Sequence, residues 1–169
     1  MITPPHELRK AVAPAADGDE DPVARAEAAL AELSGEFAVW MDAECERLEA
    51  ARQDVKRDGF SKVMHDALFR AAHDIKGHGT TFGYPMASDV ADSLCRVMEH
   101  AGATAQVPLT FIDQCVDSVR AIIREHDDDN AEETAAELAK ELRALTDELL
   151  GADGKADEAT PASPPLAPA

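Results

Sequence analysis

Ala71-Ala72-His73-Asp74-Ile75-Lys76-Gly77-His78-Gly79-Thr80-Thr81-Phe82-Gly83 is the stretch whose reading decides the fold. At about 100° of rotation per residue, Phe60, Met64, Leu68, Ala71, Ile75 and Phe82 fall within one apolar sector of a helix. His73 lands opposite the centre of that sector, facing water. Phe69 and Gly77, one turn either side of His73, share its face, and Lys76 and Thr80 are close by. A glycine inside a helix costs roughly 1 kcal/mol relative to alanine, so Gly77 suggests that something approaches the backbone beside His73. A neutral imidazole is a nucleophile near pH 7, and a lysine one turn away can neutralise charge on a transferred phosphoryl group. The face therefore has the parts of a phosphoryl acceptor.

Outward from this stretch the same helical period recurs, and no segment alternates with period two. Asp21-Pro22 is a good helix start, an acceptor at the cap followed by proline in the first turn. From there Leu30, Leu33, Phe37, Met41, Cys45, Leu48, Ala51 and Val55 repeat at threes and fours, which predicts a long helix with one buried stripe to about Arg57. Trp40 sits at the edge of that stripe and reads as a bundle-core residue rather than a partner anchor. Asp58-Gly59 breaks the chain, and the His73 helix is expected from about Phe60 to Thr81 or Phe82. Pro85 opens a third helix that ends at Gly102, forming an antiparallel hairpin with the second. Pro108 leads into a fourth, with Leu109, Ile112, Cys115, Val116, Val119, Ile122 and Ile123 inward. After Asp127-Asp128-Asp129-Asn130, the repeat Ala135, Leu138, Leu142, Leu145, Leu149 predicts a fifth helix. Its stripe suits packing on the bundle or, alternatively, dimerisation.

The fold class expected is all-α: an up-and-down four-helix bundle with an additional C-terminal helix. Residues 1–21 read as a flexible arm, 22–150 as the bundle and 151–169 as a disordered Ala/Pro-rich acidic tail. With 45% apolar residues the chain has enough for one core, and 4% aromatics suits a helical one.

The net charge of −18 argues against nucleic acid or an anionic membrane as partner, since both are polyanions bound through clustered Lys and Arg. The charge is uneven. Between Asp127 and Glu158 there are 12 acids against Lys140, Arg143 and Lys155, whereas Lys56, Arg57, Lys62, Arg70 and Lys76 give the His73 helix a less acidic surface. Cys45, Cys95 and Cys115 have no metal-ligand spacing and read as reduced thiols of a cytoplasmic protein. His65, His73 and His78 are spaced by eight and five residues, which does not stack two imidazoles on one helix face, so no metal site is expected. His78 falls toward the edge of the core and is expected to be packed or hydrogen-bonded. Asp74 points about 100° away from its neighbour His73 and is a weak candidate for an orienting base.

His73, Lys76, Gly77 and Phe82-Gly83 on an amphipathic helix resemble the histidine-containing phosphotransfer (HPt) domain of bacterial phosphorelays. The resemblance implies that His73 takes a phosphoryl group from a receiver-domain aspartate and passes it to another. Lys76 would be its electrostatic partner, with Gly77, Phe69, Arg70 and Thr80 on the docking face. Phe69 has a core reading as well, if the helix is rotated from the assumed setting. The chain would be a phosphoryl carrier rather than a turnover enzyme. It would have no cofactor of its own, the Mg²⁺ coming from the receiver. The partners implied are receiver domains of hybrid histidine kinases and response regulators, met by a monomer. His78 departs from the family pattern, which usually has a small residue there.

A different class also suits the pattern, a non-phosphorylated helical adaptor that binds receivers or kinases. A degenerate kinase dimerisation domain is a third reading, and it predicts an obligate dimer. His6-Glu7-Leu8-Arg9 resembles a fragment of a sensor-kinase phosphoacceptor box, without the rest of that box or a glycine-rich ATP segment.

Overall fold

The computed structural model describes residues 21–102 and 107–157, with side chains as far as Gly151. The expected arm and most of the expected tail, with the His6–Arg9 fragment, lie outside the described residues. Among the described residues there are five helices and no strands: α1 (Pro22–Asp58), α2 (Lys62–His78), α3 (Pro85–Ala101), α4 (Leu109–Arg124) and α5 (Ala131–Asp157).

The boundaries follow local chemistry. Asp21 accepts the Val23 N–H at 3.1 Å ahead of Pro22, and Ser61 caps α2 by accepting from Met64 N–H at 3.3 Å. Gly59 and Gly102 end α1 and α3 with φ of 83° and 73°, values that side chains with a Cβ rarely adopt. The His73 helix is shorter than its periodicity suggested. It stops at His78 and passes into a turn in which Gly83 takes φ 92° and Tyr84 N–H reaches back to the Gly79 carbonyl at 2.7 Å. α5, in contrast, runs beyond Leu150 to Asp157.

The chain divides into two units at Gly35. In the first, Pro22–Gly35 is helical and exposed throughout, including Leu30 at 64% and Leu33 at 43%. The buried stripe expected from Leu30 onward therefore starts later. In the second unit Met41, Cys45, Leu48, Ala51 and Val55 of α1 are buried, with Phe37 half-buried before them.

Helix directions in the second unit are set by cross-helix bonds. His65, early in α2, hydrogen-bonds the Met98 carbonyl late in α3 at 3.3 Å, while Ser88, early in α3, donates to the Lys76 carbonyl late in α2 at 2.5 Å. The two helices are thus antiparallel. Arg52 meets Asp117 at 2.6 Å and Lys56 meets Asp113 at 3.2 Å, which runs α4 antiparallel to α1. Asp89 pairs with Arg143 and Arg96 with Asp147, so α5 runs parallel to α3. The core half of α1, buried from Met41 to Val55 and paired with α4, makes the up-and-down bundle with α2, α3 and α4, and α5 lies against α3 and α4. The α5 stripe is used within the chain: Ala135, Ala139, Leu142 and Thr146 are buried, and Leu138, Leu145 and Leu149 pack half-buried beside them. Thr146 is satisfied by its own helix, donating to the Leu142 carbonyl at 2.7 Å.

The rotation of α2 is what places the functional face. Leu68, Ala71, Ala72 and Ile75 are buried on one side, and Leu68 and Ile75 each contribute about 1.5–3 kcal/mol by leaving water. The three cysteines are buried in the same core, and burial pushes the Cys45 thiol up to about 11 and those of Cys95 and Cys115 up to about 12. They are inert neutral thiols at ordinary pH.

Gly79 is the tightest point. A Cβ there would lie 2.9 Å from the Ile75 carbonyl oxygen, 3.0 Å from Ser88 Cβ and 3.0 Å from the Tyr84 carbonyl oxygen, whereas one at Gly77 would meet nothing within 4 Å beyond the backbone of its own helix. Gly79→Ala is therefore expected to destabilise the fold by about 1–3 kcal/mol through overpacking. Gly77→Ala should instead stabilise it by up to about 1 kcal/mol through helix propensity. Urea unfolding of the two variants checks this, and a Gly79→Ala protein as stable as Gly77→Ala would contradict the close packing.

Candidate functional site

His73 is exposed on α2, on the side turned away from Leu68, Ala72 and Ile75. One turn before it, half-buried Phe69 holds its ring 5.9 Å from the imidazole at an interplanar angle of 32°. Phe69 in turn stacks on His65, at 6.2 Å and 3°. His65 is buried, and its bond to the Met98 carbonyl requires the proton on Nε2. The three rings recur every four residues, so His73 stands at the solvent end of a ladder whose inner rung is fixed to α3. Phe69 packs half-buried against the core, as its core reading has it, and its ring also meets the His73 imidazole.

One turn after His73, Lys76 Nζ lies 2.7 Å from Asp92 Oδ1 of α3. The hydrogen bond to that carboxylate holds the ammonium above the usual lysine range. Gly77 is exposed, and the space where its side chain would be is open. Thr80 is exposed in the following turn and Arg70 on the turn before. His73, Lys76, Gly77, Phe69, Arg70 and Thr80 are thus all on α2 or the turn that ends it.

The local positive charge expected around this helix is mostly cancelled. Lys56 pairs with Asp113, Arg57 with Asp54 and Asp58, Lys62 with Asp66, and Lys76 with Asp92. Arg70 forms no ion pair among the described residues. Asp74 faces α1, where Arg47 approaches it at 3.7 Å, so it is engaged away from His73.

Two side chains sit differently from their expected places. His78 is exposed instead of packed at the core edge, because the helix ends there and its ring lies over Phe82 at 5.5 Å. Trp40 is not a core residue: it is 54% exposed and meets Phe82 edge-on at 5.5 Å. Phe37 stacks on Phe82 at 4.6 Å, so Phe37, Trp40, Phe82 and His78 form an aromatic cluster at the end of α2.

Periodicity could not identify Asp92, Ser88 or Gly79 as neighbours of the site. Gly79 stood in the motif as a second glycine, and the i, i+4 spacing of Ser88 and Asp92 was the remaining signal, weak because acids are so common in this chain. Among the described residues no group of three or more His, Cys, Asp and Glu side chains converges as metal ligands would, and no helix is long and apolar enough to cross a membrane.

An all-α bundle presenting an outward histidine, followed by Lys and Gly on the same helix, defines the class. Residues 32–152, most of the chain, match the family described as Hpt domain, and the chain belongs to that family. Its members are phosphocarrier modules. No curated protein and no solved structure matches the chain.

Trp40 is the chain's single tryptophan, which makes its setting directly measurable. Its emission should be that of a solvated indole and be quenched efficiently by acrylamide in the native protein. A blue-shifted emission resistant to quenching would put Trp40 in the core.

Proposed function

We propose that this chain relays a phosphoryl group between receiver-domain aspartates, with His73 as the residue that carries it. The observation that carries the reading is the pairing of an outward imidazole at His73 with an open surface at Gly77 on a helix whose opposite side is buried. A receiver can approach such a face without displacing any side chain at Gly77.

In the proposed transfer, Nε2 of neutral His73 attacks the phosphorus of an aspartyl phosphate in line with the leaving oxygen. The N–P bond forms as the O–P bond breaks, the electron pair of that bond returns to the carboxylate, and Nδ1 keeps its proton. Phosphoryl transfer needs positioning and charge stabilisation more than covalent help from the carrier. Phe69 restrains the imidazole, and Lys76 offers its ammonium to the phosphoryl oxygens. The receiver's own acidic pocket would bring the divalent cation. Exposed Arg70 and Thr80 belong to the docking face, with Gly77 at its centre. Reverse attack by a second receiver aspartate returns His73 to its neutral form. The α5 stripe is covered by α3 and α4, which supports a monomer; the partners in this reading are receivers of hybrid kinases and response regulators, met in the cytoplasm.

The exposed Trp40 beside Phe82 favours a second reading, a helical adaptor that binds receivers or kinases and carries no phosphoryl group. The chemistry separates the two, since phosphohistidine is acid-labile and base-stable. Incubation with a phosphorylated receiver should give acid-labile label on the native chain and none on His73→Gln, whose helicity should be unchanged. Label persisting on His73→Gln would overturn the site, and receiver binding without label on either protein would favour the adaptor. Gly77→Leu, at an exposed position where a Cβ meets nothing beyond its own helix, should keep its stability and slow transfer by about tenfold or more. Unchanged transfer kinetics would contradict close approach there.

A further inference from the structure

Lys76 is tied to α3 at two points. Its carbonyl accepts the Ser88 hydroxyl at 2.5 Å, and its ammonium meets the Asp92 carboxylate at 2.7 Å. Ser88 and Asp92 are four residues apart and so lie on one face of α3. Gly79 closes against Ser88 at the same level, where even a Cβ would be only 3.0 Å from Ser88 Cβ. The backbone of Lys76 is therefore held in register by contacts that do not involve its ammonium. The side chain alone is free to change partner, and with Lys76 and Asp92 side chains 40% and 39% exposed, the exchange disturbs no core packing.

His73 and Lys76 are one turn apart on α2, a spacing that leaves side chains within reach of each other. An exposed carboxylate–ammonium pair is weak. A phosphoryl group bears close to two negative charges and three acceptor oxygens, against the single charge of a carboxylate. The lysine ammonium has three donors and can turn from one to the other.

We propose that Asp92 is a positioning residue for the phosphotransfer reached above: it holds the Lys76 ammonium on α3 while His73 is bare and competes for it once His73 is phosphorylated, which keeps the phosphoryl group transferable. The proposal rests on the phosphotransfer reading and adds to it a residue from a different helix. Without Asp92 the lysine would serve the phosphoryl group alone, and the phosphorylated form would be over-stabilised. Without Lys76, Asp92 would have nothing to act through.

The test needs no receiver. Phosphoramidate supplies the phosphoryl group: its P–N bond breaks, the His73 Nε2–P bond forms, and ammonia leaves. At fixed phosphoramidate and ammonium concentrations, the ratio of phosphorylated to free His73 is measured on the full chain under alkaline quench. Asp92→Asn should raise that ratio about two- to fivefold, the range an exposed ion pair supports. Lys76→Ala should lower it, Asp92→Asn should add nothing in the Lys76→Ala background, and Asp92→Glu should restore the native value. An unchanged ratio in Asp92→Asn, or the same rise with Lys76 absent, overturns the proposal. Competitive acetylation of Lys76 by acetic anhydride on the unphosphorylated chain gives the second readout, with Asp92→Asn expected to make Lys76 more reactive. Normal labelling of His73 with unchanged Lys76 acetylation removes the Asp92 proposal alone. Absence of label on His73 in the native chain removes the phosphotransfer reading itself.

Discussion

Gly79 brings the end of α2 against the start of α3 more closely than a residue with a side chain would allow, with Ser88 Cβ and two carbonyl oxygens around the position a Cβ would take. That contact, the Ser88 hydroxyl on the Lys76 carbonyl and the buried side of α2 together fix the rotation of the helix. A helix turned by one residue would move His73 through about 100°. The glycine at 79 therefore sets the stage for the open glycine at 77: one lets the chain approach itself, and the other leaves room for something else to approach the chain. Their neighbours in sequence give no hint of this division, because both are glycines near the end of the same helix.

The electrostatics follow a similar division between what the chain uses internally and what it presents. Most basic side chains near α2 are engaged by acids of α1, α2, α3 or α4. With so many carboxylates nearby, most of these cations find a partner, and the pairs are weak and exposed enough to be exchanged. A charge needed only in the presence of a phosphoryl group can thus be stored in an ion pair until the group arrives. The His65–Phe69–His73 ladder does the complementary work on geometry, linking an exposed ring to a buried one that is anchored on α3.

The helices were legible in the sequence wherever two independent signals agreed. The apolar sector of α2 followed the Asp58-Gly59 break, and the α3 stripe lay between Pro85 and Gly102. The outward setting of His73 followed from the same wheel. Less legible was where a stripe has a neighbour. Leu30 and Leu33 continue the α1 pattern but are exposed, because periodicity reports which face is apolar and not what lies against it. Trp40 failed for the same reason, and His78 because the helix ended before the wheel assumed. The Lys76–Asp92 pair joins residues on different helices, so only their packing could reveal it.

The central claim is chemical, that among the six histidines of this chain His73 is the one that bonds to phosphorus. Site-resolved mass spectrometry of the chain after transfer from a phosphorylated receiver, with digestion kept alkaline, tests it most directly. The account predicts a single phosphoryl group, confined to His73. A phosphoryl group on His78, on His65 or on any other residue, with His73 bare, would contradict it.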